Sequence, residues 1–464
     1  MDGSRARPYT DRMQSQALRT LATTLCLGAA VAACGAKTGL LVPDVPEDRA
    51  DVLDAPETQP SFCVEPTDPN ATYRVDLETR AQLTVADIFF VIDRTGSMDG
   101  EIDNIKRNLQ NTIVPQINAA ITDVQFGVAT YADFPIGSYG DRMDIPFTLV
   151  TPVDRSLSNV QGALNSVAAG GGGDNPEAMV EALYQVATGE GYLPWIPPRS
   201  PCAGPGRSGY ACFRREAQPI LVLIADAPSH NGPAAGPRDT AYNDITFLNP
   251  PACPSTLPMC RASRGPHTYA ETRAALQRLN ARVIGVSSGS AGLSGLADMQ
   301  VIARDTGTVT AGGSPLVIGI NTDGSDLDSR VVSAVQTFTR QVRFNASARV
   351  VDLDPMRPAS RIVAAVRPRT ADPAANVQRT DATTFYGVVP GTRLTFSLEL
   401  VTPLPRTSVE QRFPTRVQFL GDGRANLGWR DIEIVIPPLD RTCDGDAGAP
   451  DVTAVDAGID AAID

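Results

Sequence analysis

Three oxygen-bearing side chains follow one strongly apolar run of the sequence at alternate positions. The run DIFFVI covers residues 87–92, and Asp93, Thr95 and Ser97 come directly after it. A continuous apolar run of this kind is typical of a strand buried on both faces of a sheet. A tight loop behind such a strand can direct one carboxylate and two hydroxyls at a common point. Oxygen donors suit Mg²⁺, Mn²⁺ or Ca²⁺ rather than zinc, so the spacing predicts a site for such a cation.

Further carboxylates stand at or near the ends of other predicted elements. Asp133 follows a strand-like segment, Asp226 follows the apolar run PILVLIA, and the segment GGGGDNPE contains Asp174 and Glu177. In sheets of this kind, ligands bind in the crevice outside the carboxyl ends of the strands. We therefore expect these side chains to share one edge of the sheet with Asp93.

The elements that must position these residues alternate between strand and helix from about residue 84 to residue 342. Strand-like patterns occupy residues 87–92, 124–131, 147–151, 219–225 and 283–286, and helical patterns occupy residues 102–121, 175–187, 296–303 and the stretch from 327 onward. Thr268 and Glu271 fit a capping box that opens a helix ending at Leu279. This alternation predicts an α/β fold, a doubly wound and mostly parallel sheet, with insertions at about 190–217 and 228–266.

The order and spacing of these motifs resemble the metal-ion-dependent adhesion site of von Willebrand factor A (vWA) domains, which have a Rossmann-like fold. Asp93 to Ser97 follows the pattern D-x-[ST]-G-S, Tyr131-Ala132-Asp133 follows the second strand, and residues 170–177 are similar to the G-G-x-x-D-x-P-E loop of integrin β subunits. The resemblance covers about residues 84–342, more than half of the chain.

The resemblance implies a role for each matching residue. Thr95 and Ser97 would coordinate the metal directly, Asp93 and Asp226 would coordinate it or hold its waters, and Glu177 would supply a third ligand loop. Asp133, Asp174 and Glu177 would form a possible second cation site.

The chain departs from the family pattern at two places. Gly172 replaces the usual Asn of the second site, and Gly100 and Glu101 replace the two consecutive acids of a third site. The family implies divalent-dependent binding of a partner's Asp or Glu carboxylate, with Mg²⁺ as the cofactor or Mn²⁺ or Ca²⁺ in its place.

A different pattern follows residue 345. Residues 392–401 alternate strictly between apolar and polar side chains, and residues 416–420 and 431–436 also have strand patterns. Gly421-Asp422-Gly423 supplies a turn between them. We predict a small antiparallel, immunoglobulin-like β-sandwich over residues 345–443. The vWA-like region is then predicted to span residues 61–344. The acidic, low-complexity tail 444–464 is predicted to be disordered.

The amino-terminal residues predict export. Residues 20–33 form a short apolar run that ends Val31-Ala32-Ala33-Cys34-Gly35, which resembles the lipobox of bacterial lipoproteins. This implies a signal peptide over residues 1–33 and a lipid on Cys34, and an ordinary secretory signal is the alternative. Residues 34–60 form an acidic, proline-rich linker, and Met13 is an alternative start.

The six other cysteines outside the signal suggest disulfides in an exported protein. Cys202 with Cys212 and Cys253 with Cys260 are local pairs inside the two insertions, which leaves Cys63 with Cys443. Zinc is disfavoured because no C-x-x-C occurs and the histidines number two, His230 and His267. We interpret His230 and the adjacent Asn231, which lie near Asp226, as parts of a solvated loop, with contact at the rim of the site as the alternative.

Charge and motifs exclude other functions. The formal net charge is −12, and Lys occurs only at Lys37 and Lys106, which argues against nucleic-acid binding. The motif G-x-S-x-G at residues 285–289 has no histidine downstream, so no catalytic residue is assigned.

The sequence as a whole predicts a non-enzymatic, cation-dependent adhesion protein, lipid-anchored in the bacterial cell envelope at the outer membrane or cell surface. One alternative is a structural scaffold of the envelope with a degenerate vWA domain. The other is a metal-assisted hydrolase with Glu177 as its general base.

Overall fold

The fold comes from a computed structural model, which describes residues 61–65, 72–233, 240–247, 265–289, 294–401, 404–443 and 454–455. The predicted signal peptide, the lipidation site Cys34, the linker 34–60 and the pair Cys253–Cys260 lie outside the described residues. So does most of the acidic tail. No helix within the described ranges is long and apolar enough to cross a membrane.

The strands are, in chain order, β1 Ser61–Cys63, β2 Thr72–Arg80, β3 Val85–Asp93, β4 Asp123–Tyr131, β5 Thr148–Asp154, β6 Gln218–Ala225, β7 Arg282–Ser287, β8 Val317–Gly319, β9 Phe344–Asp352, β10 Val363–Asp372, β11 Arg379–Thr380, β12 Thr384–Val388, β13 Arg393–Val401, β14 Gln411–Gly421, β15 Ala425–Ile436 and β16 Ala454–Val455. The α-helices are α1 Asp99–Asn108, α2 Val114–Asn118, α3 Leu157–Asn165, α4 Met179–Thr188, α5 Tyr269–Leu279, α6 Leu296–Asp305 and α7 Leu327–Gln341. A π-helical turn, Leu109–Ile113, joins α1 to α2.

The α/β region is built on a mixed six-stranded sheet in the order β5-β4-β3-β6-β7-β8. Strands β4, β3, β6, β7 and β8 are parallel, whereas the edge strand β5 runs antiparallel to β4. The long loop 132–147 between β4 and β5 contains no crossover helix, so the chain can return antiparallel beside β4.

Helices cover both faces of this sheet, which explains why the central strands are apolar throughout. On β3, Ile88 and Phe90 pack with residues of α1 and α7, whereas Phe89 and Val91 pack with residues of α4, α5 and α6. Successive strand residues point to opposite faces, so a strand covered on both sides needs an apolar side chain at every position.

The second region is a sandwich of two sheets. A six-stranded sheet has the order β1-β15-β14-β9-β12-β11, and a four-stranded sheet has the order β10-β13-β2-β16. The apolar residues of β13 that alternate in the sequence, Leu394, Phe396, Leu398 and Leu400, are all buried between the sheets. The alternation therefore identified the face of β13 that is directed inward.

The sandwich contains strands from both ends of the chain, which corrects the boundary predicted at residue 345. Strand β2 pairs antiparallel with β13 along its whole length, from Thr72 opposite Val401 to Arg80 opposite Arg393, and β1 pairs parallel with β15. Residues 61–65 and 72–80 therefore belong to the sandwich, and the α/β region is inserted between β2 and β9. These paired strands are more than 300 residues apart in the sequence, so no local sequence pattern could indicate that they pair.

Two of the predicted cysteine pairs form disulfide bonds. Cys63 is bonded to Cys443, which ties β1 to the chain just beyond β15, and Cys202 is bonded to Cys212 in the first insertion. The tail is not wholly unpaired, because β16 adds Ala454–Val455 to the edge of β2. For these two residues the prediction of a disordered tail was wrong.

One helix begins later than predicted, in a way that affects the candidate site. α4 begins at Met179 rather than at residue 175, because the backbone of Glu177 pairs with Ser229 in a short bridge. α5 begins and ends as predicted, with the Thr268–Glu271 capping box formed. The delayed start of α4 leaves Glu177 in a loop at the carboxyl edge of the sheet.

Candidate metal centre

Four loops meet at the carboxyl edge of the central sheet. Asp93 is opposite Tyr131 at the ends of β3 and β4, and Ile92 is opposite Ile224 near the end of β6. The glycine-rich loop 170–177 is held to the first of these loops by hydrogen bonds from Gly170 N to Arg94 O, 2.8 Å, and from Gly96 N to Gly171 O, 3.2 Å. The parallel register therefore brings together segments that are widely separated in the sequence.

Asp93 is fully buried and organises the loop that follows β3. Its Oδ1 accepts hydrogen bonds from the backbone N–H of Thr95, at 2.9 Å, and from the Thr95 hydroxyl, at 2.8 Å. The hydroxyl uses its proton in this bond, so its oxygen keeps lone pairs for another ligand. Ser97 lies on the exposed side of the same loop, in the short 3₁₀ turn Gly96–Met98.

Gly172 allows the glycine-rich loop to bring Glu177 beside Thr95. Its φ is +94°, and a Cβ at this position would lie 3.5 Å from both Glu177 Oε1 and Thr95 Cβ. Asp144 holds this loop by accepting a hydrogen bond from Gly172 N at 2.8 Å. Asp144 was not predicted as a site residue, because it lies in an irregular loop between β4 and β5 and carries no motif of its own.

Several buried carboxylate oxygens at this edge have no hydrogen-bond partner among the described residues. They are Asp93 Oδ2, Glu177 Oε2 and Asp226 Oδ1. None of the salt bridges formed by the described residues pairs these three acids with Lys or Arg. Unpaired buried carboxylates are costly, and buried charges are ordinarily paired or bound to metal ions. The donor set therefore fits a hard divalent cation held by Asp93, Thr95, Ser97, Glu177 and Asp226.

Burial, together with the charges of neighbouring acids, raises the pKa values of Asp93 and Glu177. Burial raises the pKa of Asp93 to about 7, and the neighbouring Asp226 adds to the effect against the hydrogen bonds from Thr95. Burial, followed by the charges of Asp93 and Asp133, raises the pKa of Glu177 to about 11. In the absence of a cation, the cluster therefore favours protonated carboxyl groups near neutral pH.

This electrostatics predicts that the cation-free protein loses stability as pH rises. From pH 5 the folded state retains a proton on Asp93 up to about pH 7 and a proton on Glu177 up to pH 8 and beyond, whereas the unfolded chain has already released both, so the free energy of unfolding falls as pH rises. Between pH 5 and 8 we expect a fall of about 4 kcal/mol from Glu177 and about 2–3 kcal/mol from Asp93, measured by urea unfolding in EDTA. In the variant Glu177→Gln, the free energy of unfolding should fall less steeply with pH, because the glutamine side chain has no titratable proton. An unchanged slope in this variant would contradict the assigned pKa of Glu177.

A second group of side chains lies beside the first and differs from its predicted membership. Asp133, Asp174 and His230 each place one potential metal-binding atom within 4.8 Å of the others, and Glu177 is not part of this group. The interpretation of His230 as part of a solvated loop was wrong, because its side chain is only 3% exposed. The alternative, that His230 touches the rim of the site because residue 230 lies four positions after Asp226, agrees better with its position at this edge.

Gly100 and Glu101, where the chain departs from the family pattern, have structural consequences. Glu101 is buried and its pKa is raised, chiefly by burial and also by the charge of Asp226. Gly100 has no room for a side chain, because a Cβ there would lie 2.4 Å from the carbonyl oxygen of Asp323. Glu101 therefore adds to the negative charge at this edge, while Gly100 permits α1 to approach the loop before α7.

No protein-family model matches the chain. The chain is 26% identical over 147 residues to the alpha-protein kinase vwkA of Dictyostelium discoideum, a stretch that is 31% of this chain and 19% of that protein. The chain thus spans about a fifth of the length of this curated relative.

Similar solved structures include a von Willebrand factor type A protein from Catenulispora acidiphila, with 14% identity, a TM-score of 0.32, and coverage of 80% of this chain and 76% of that one. They also include the open conformation of the pilus adhesin SpaC from Lactobacillus rhamnosus GG, with 11% identity, a TM-score of 0.32, and coverage of 79% and 45%. These matches are remote, so the candidate metal site rests on the buried carboxylates and hydroxyls of this chain itself.

Proposed function

We propose that the chain binds a divalent cation at the edge formed by Asp93, Thr95, Ser97, Glu177 and Asp226, and uses it to bind a carboxylate of a protein partner. Mg²⁺ is the proposed cation, with Mn²⁺ or Ca²⁺ as substitutes. The observation that carries the proposal is the set of buried, unpartnered carboxylate oxygens around the Thr95 hydroxyl, in the described part of the chain, with no basic side chain paired to them.

The donor types favour binding over catalysis. Thr95 and Ser97 are neutral ligands, so they cancel less of the cation's charge than carboxylates in their places would. A bound cation would supply an open coordination position for an acidic group from outside. A hydrolase would need a general base beside this position. Glu177 was the candidate for that role, and its buried carboxyl is assigned here to the cation instead.

We further propose that the protein is exported and carried at a bacterial membrane by a lipid on Cys34, with residues 34–60 as a spacer. The disulfides Cys63–Cys443 and Cys202–Cys212 support an oxidising compartment. Attachment can be measured by growth with a radiolabelled fatty acid, and Cys34→Ser should remove the label from the protein.

The binding function can be tested by selecting random displayed peptides on the immobilised full chain in Mg²⁺ and eluting them with EDTA. Peptides eluted in this way should share an Asp or Glu, and replacement of that residue with Asn or Gln should abolish binding. They should also be recovered uncleaved, as expected for a binding protein rather than a hydrolase.

The control selection uses the variant Asp93→Ala, which should yield no EDTA-sensitive peptides. Peptides without a common acid, or equal recovery on the variant, would contradict the proposed carboxylate capture. Failure to recover any EDTA-sensitive peptide would instead favour the scaffold alternative.

A further inference from the structure

His230 lies between two carboxylates that come from different loops. Its Nε2 is 3.1 Å from Asp174 Oδ1 and 3.3 Å from Asp133 Oδ2. Asp133 follows β4, Asp174 lies in the glycine-rich loop, and His230 follows β6. Three separate loops thus direct one nitrogen and two oxygens at a common point.

The other ring nitrogen of His230 fixes which atom is available. Nδ1 lies 2.6 Å from the backbone carbonyl oxygen of Thr240. A carbonyl oxygen can only accept, so Nδ1 carries a proton and donates it. With Nδ1 used in this way, Nε2 is the ring nitrogen that faces the two carboxylates and is placed to bind a metal between them. Metal-bound histidines are ordinarily held in this way, with one nitrogen on the metal and the other donating to a carbonyl or carboxylate.

Asp133 is also arranged with one oxygen in use and the other available. Its Oδ1 accepts hydrogen bonds from the backbone N–H of Phe134, at 2.6 Å, and from the Tyr242 hydroxyl. Its Oδ2 is buried, faces His230, and has no hydrogen-bond partner among the described residues. Apart from its 3.3 Å contact with His230 Nε2, this buried oxygen is unsatisfied, which indicates that the group can take an additional ligand.

Aromatic rings enclose the imidazole on the inner side, and Asp174 leaves the outer side open. The rings of Tyr139 and Tyr242 have centroids 4.9 Å and 4.3 Å from that of His230. The Asp174 side chain is 34% exposed. A metal at this point would have a rigid inner wall and access to solvent at one side.

We propose that Asp133, Asp174 and His230 form a second metal site, which prefers Zn²⁺ or a similar transition metal over Mg²⁺ and Ca²⁺. Imidazole nitrogen is a preferred ligand of zinc, whereas Mg²⁺ and Ca²⁺ favour oxygen alone. Three protein ligands with an open side match zinc sites that retain a water molecule. The proposal does not depend on the cation-dependent binding function proposed above, which involves a different ligand set and a different ion.

Cobalt substitution tests this site, because Co²⁺ occupies zinc sites and has visible absorption bands and a paramagnetic effect on nearby protons. The full chain is titrated with Co²⁺ in excess Mg²⁺, so that Mg²⁺ occupies the first site. We expect one equivalent of bound Co²⁺, displaced by Zn²⁺, and one strongly shifted imidazole N–H proton resonance that disappears in D₂O. That proton is the one that Nδ1 of His230 donates to Thr240.

Variants separate this site from a simple ion pair and from the first metal site. His230→Gln and Asp174→Asn should each weaken Co²⁺ binding by more than about tenfold, the scale of loss seen even when only an outer partner of a ligand is removed. Asp141→Asn removes an equal charge from an exposed position nearby and should have no effect. Asp93→Ala should retain the Co²⁺ signal while losing the response to Mg²⁺.

Two results would overturn the proposal. Absence of a shifted imidazole proton would mean that His230 does not bind the metal and is instead a positively charged partner of the two carboxylates. Equal Co²⁺ affinity in His230→Gln would place the ion elsewhere. Because Asp174 is partly exposed, Asp174→Asn keeps the test valid if the variant of the buried His230 fails to fold.

Discussion

Arg214→Ala should lower the free energy of unfolding by about 3–5 kcal/mol, because it breaks a buried ion pair at the amino-terminal edge of the central sheet. Arg214 Nε lies 2.6 Å from Asp87 Oδ1, and its Nη1 lies 2.8 Å from Asp123 Oδ2. Asp87 is fully buried, and burial already raises its pKa against the opposing effect of Arg214. Without Arg214 this carboxylate would lose its main compensating charge.

Urea unfolding of the full chain measures this effect, with Arg215→Ala as the matched control. Arg215 is the next residue and is exposed, so its replacement should change stability by less than about 0.5 kcal/mol. Adding Asp87→Asn to Arg214→Ala should recover part of the loss, because the unpaired charge is removed. A loss below about 1 kcal/mol for Arg214→Ala would show that water reaches Asp87 and that the pair is not effectively buried.

Asp93→Ala should abolish the stabilisation of the protein by Mg²⁺. A ligand that binds only the folded state raises the free energy of unfolding by about 2.7 kcal/mol at a concentration one hundred times its Kd. We expect this rise in the wild-type chain after removal of metal with EDTA, measured by thermal and urea unfolding. Loss of the Asp93 carboxylate removes one proposed ligand and the acceptor that orients the Thr95 hydroxyl.

Two further variants control this experiment. Asp93→Asn keeps a hydrogen-bond acceptor for Thr95 but removes the charge, so it should fold and still lose the response to Mg²⁺. Asp103→Asn removes a charge from an exposed position on α1 and should respond like the wild type. A Mg²⁺-dependent rise that persists in both Asp93 variants would move the cation to another set of residues.

The sandwich and the proposed metal centre lie at opposite edges of the central sheet. The Thr84 hydroxyl, just before β3, donates to Asn426 O at 2.8 Å, and Asn426 N donates to Glu216 O at 2.9 Å, just before β6. Asp93 and Asp226 lie at the other ends of these two strands. The insertion between β2 and β9 therefore fastens the α/β region at one edge and leaves the loops of the opposite edge available to a partner.

Some features of this protein follow from the sequence alone because their causes are local. The apolar run 87–92 identified β3, since burial on both faces requires an apolar residue at each position. The Thr268–Glu271 capping box identified the start of α5, since a cap satisfies backbone groups within the first helical turn. The spacing of Asp93 and Thr95 predicted that both side chains are directed at a common point, and the Thr95 hydroxyl lies 2.8 Å from Asp93 Oδ1.

Other features were decided only by the tertiary structure, because they depend on contacts between distant segments. The membership of β2 in the sandwich follows from its pairing with β13, and its sequence carries no mark of its partner. Asp133, Asp174 and His230 likewise lie close together only because the parallel strands bring their three loops to the same edge of the sheet. Sequence spacing specifies chemistry within a loop, whereas chemistry between loops depends on the order and register of the strands that carry them.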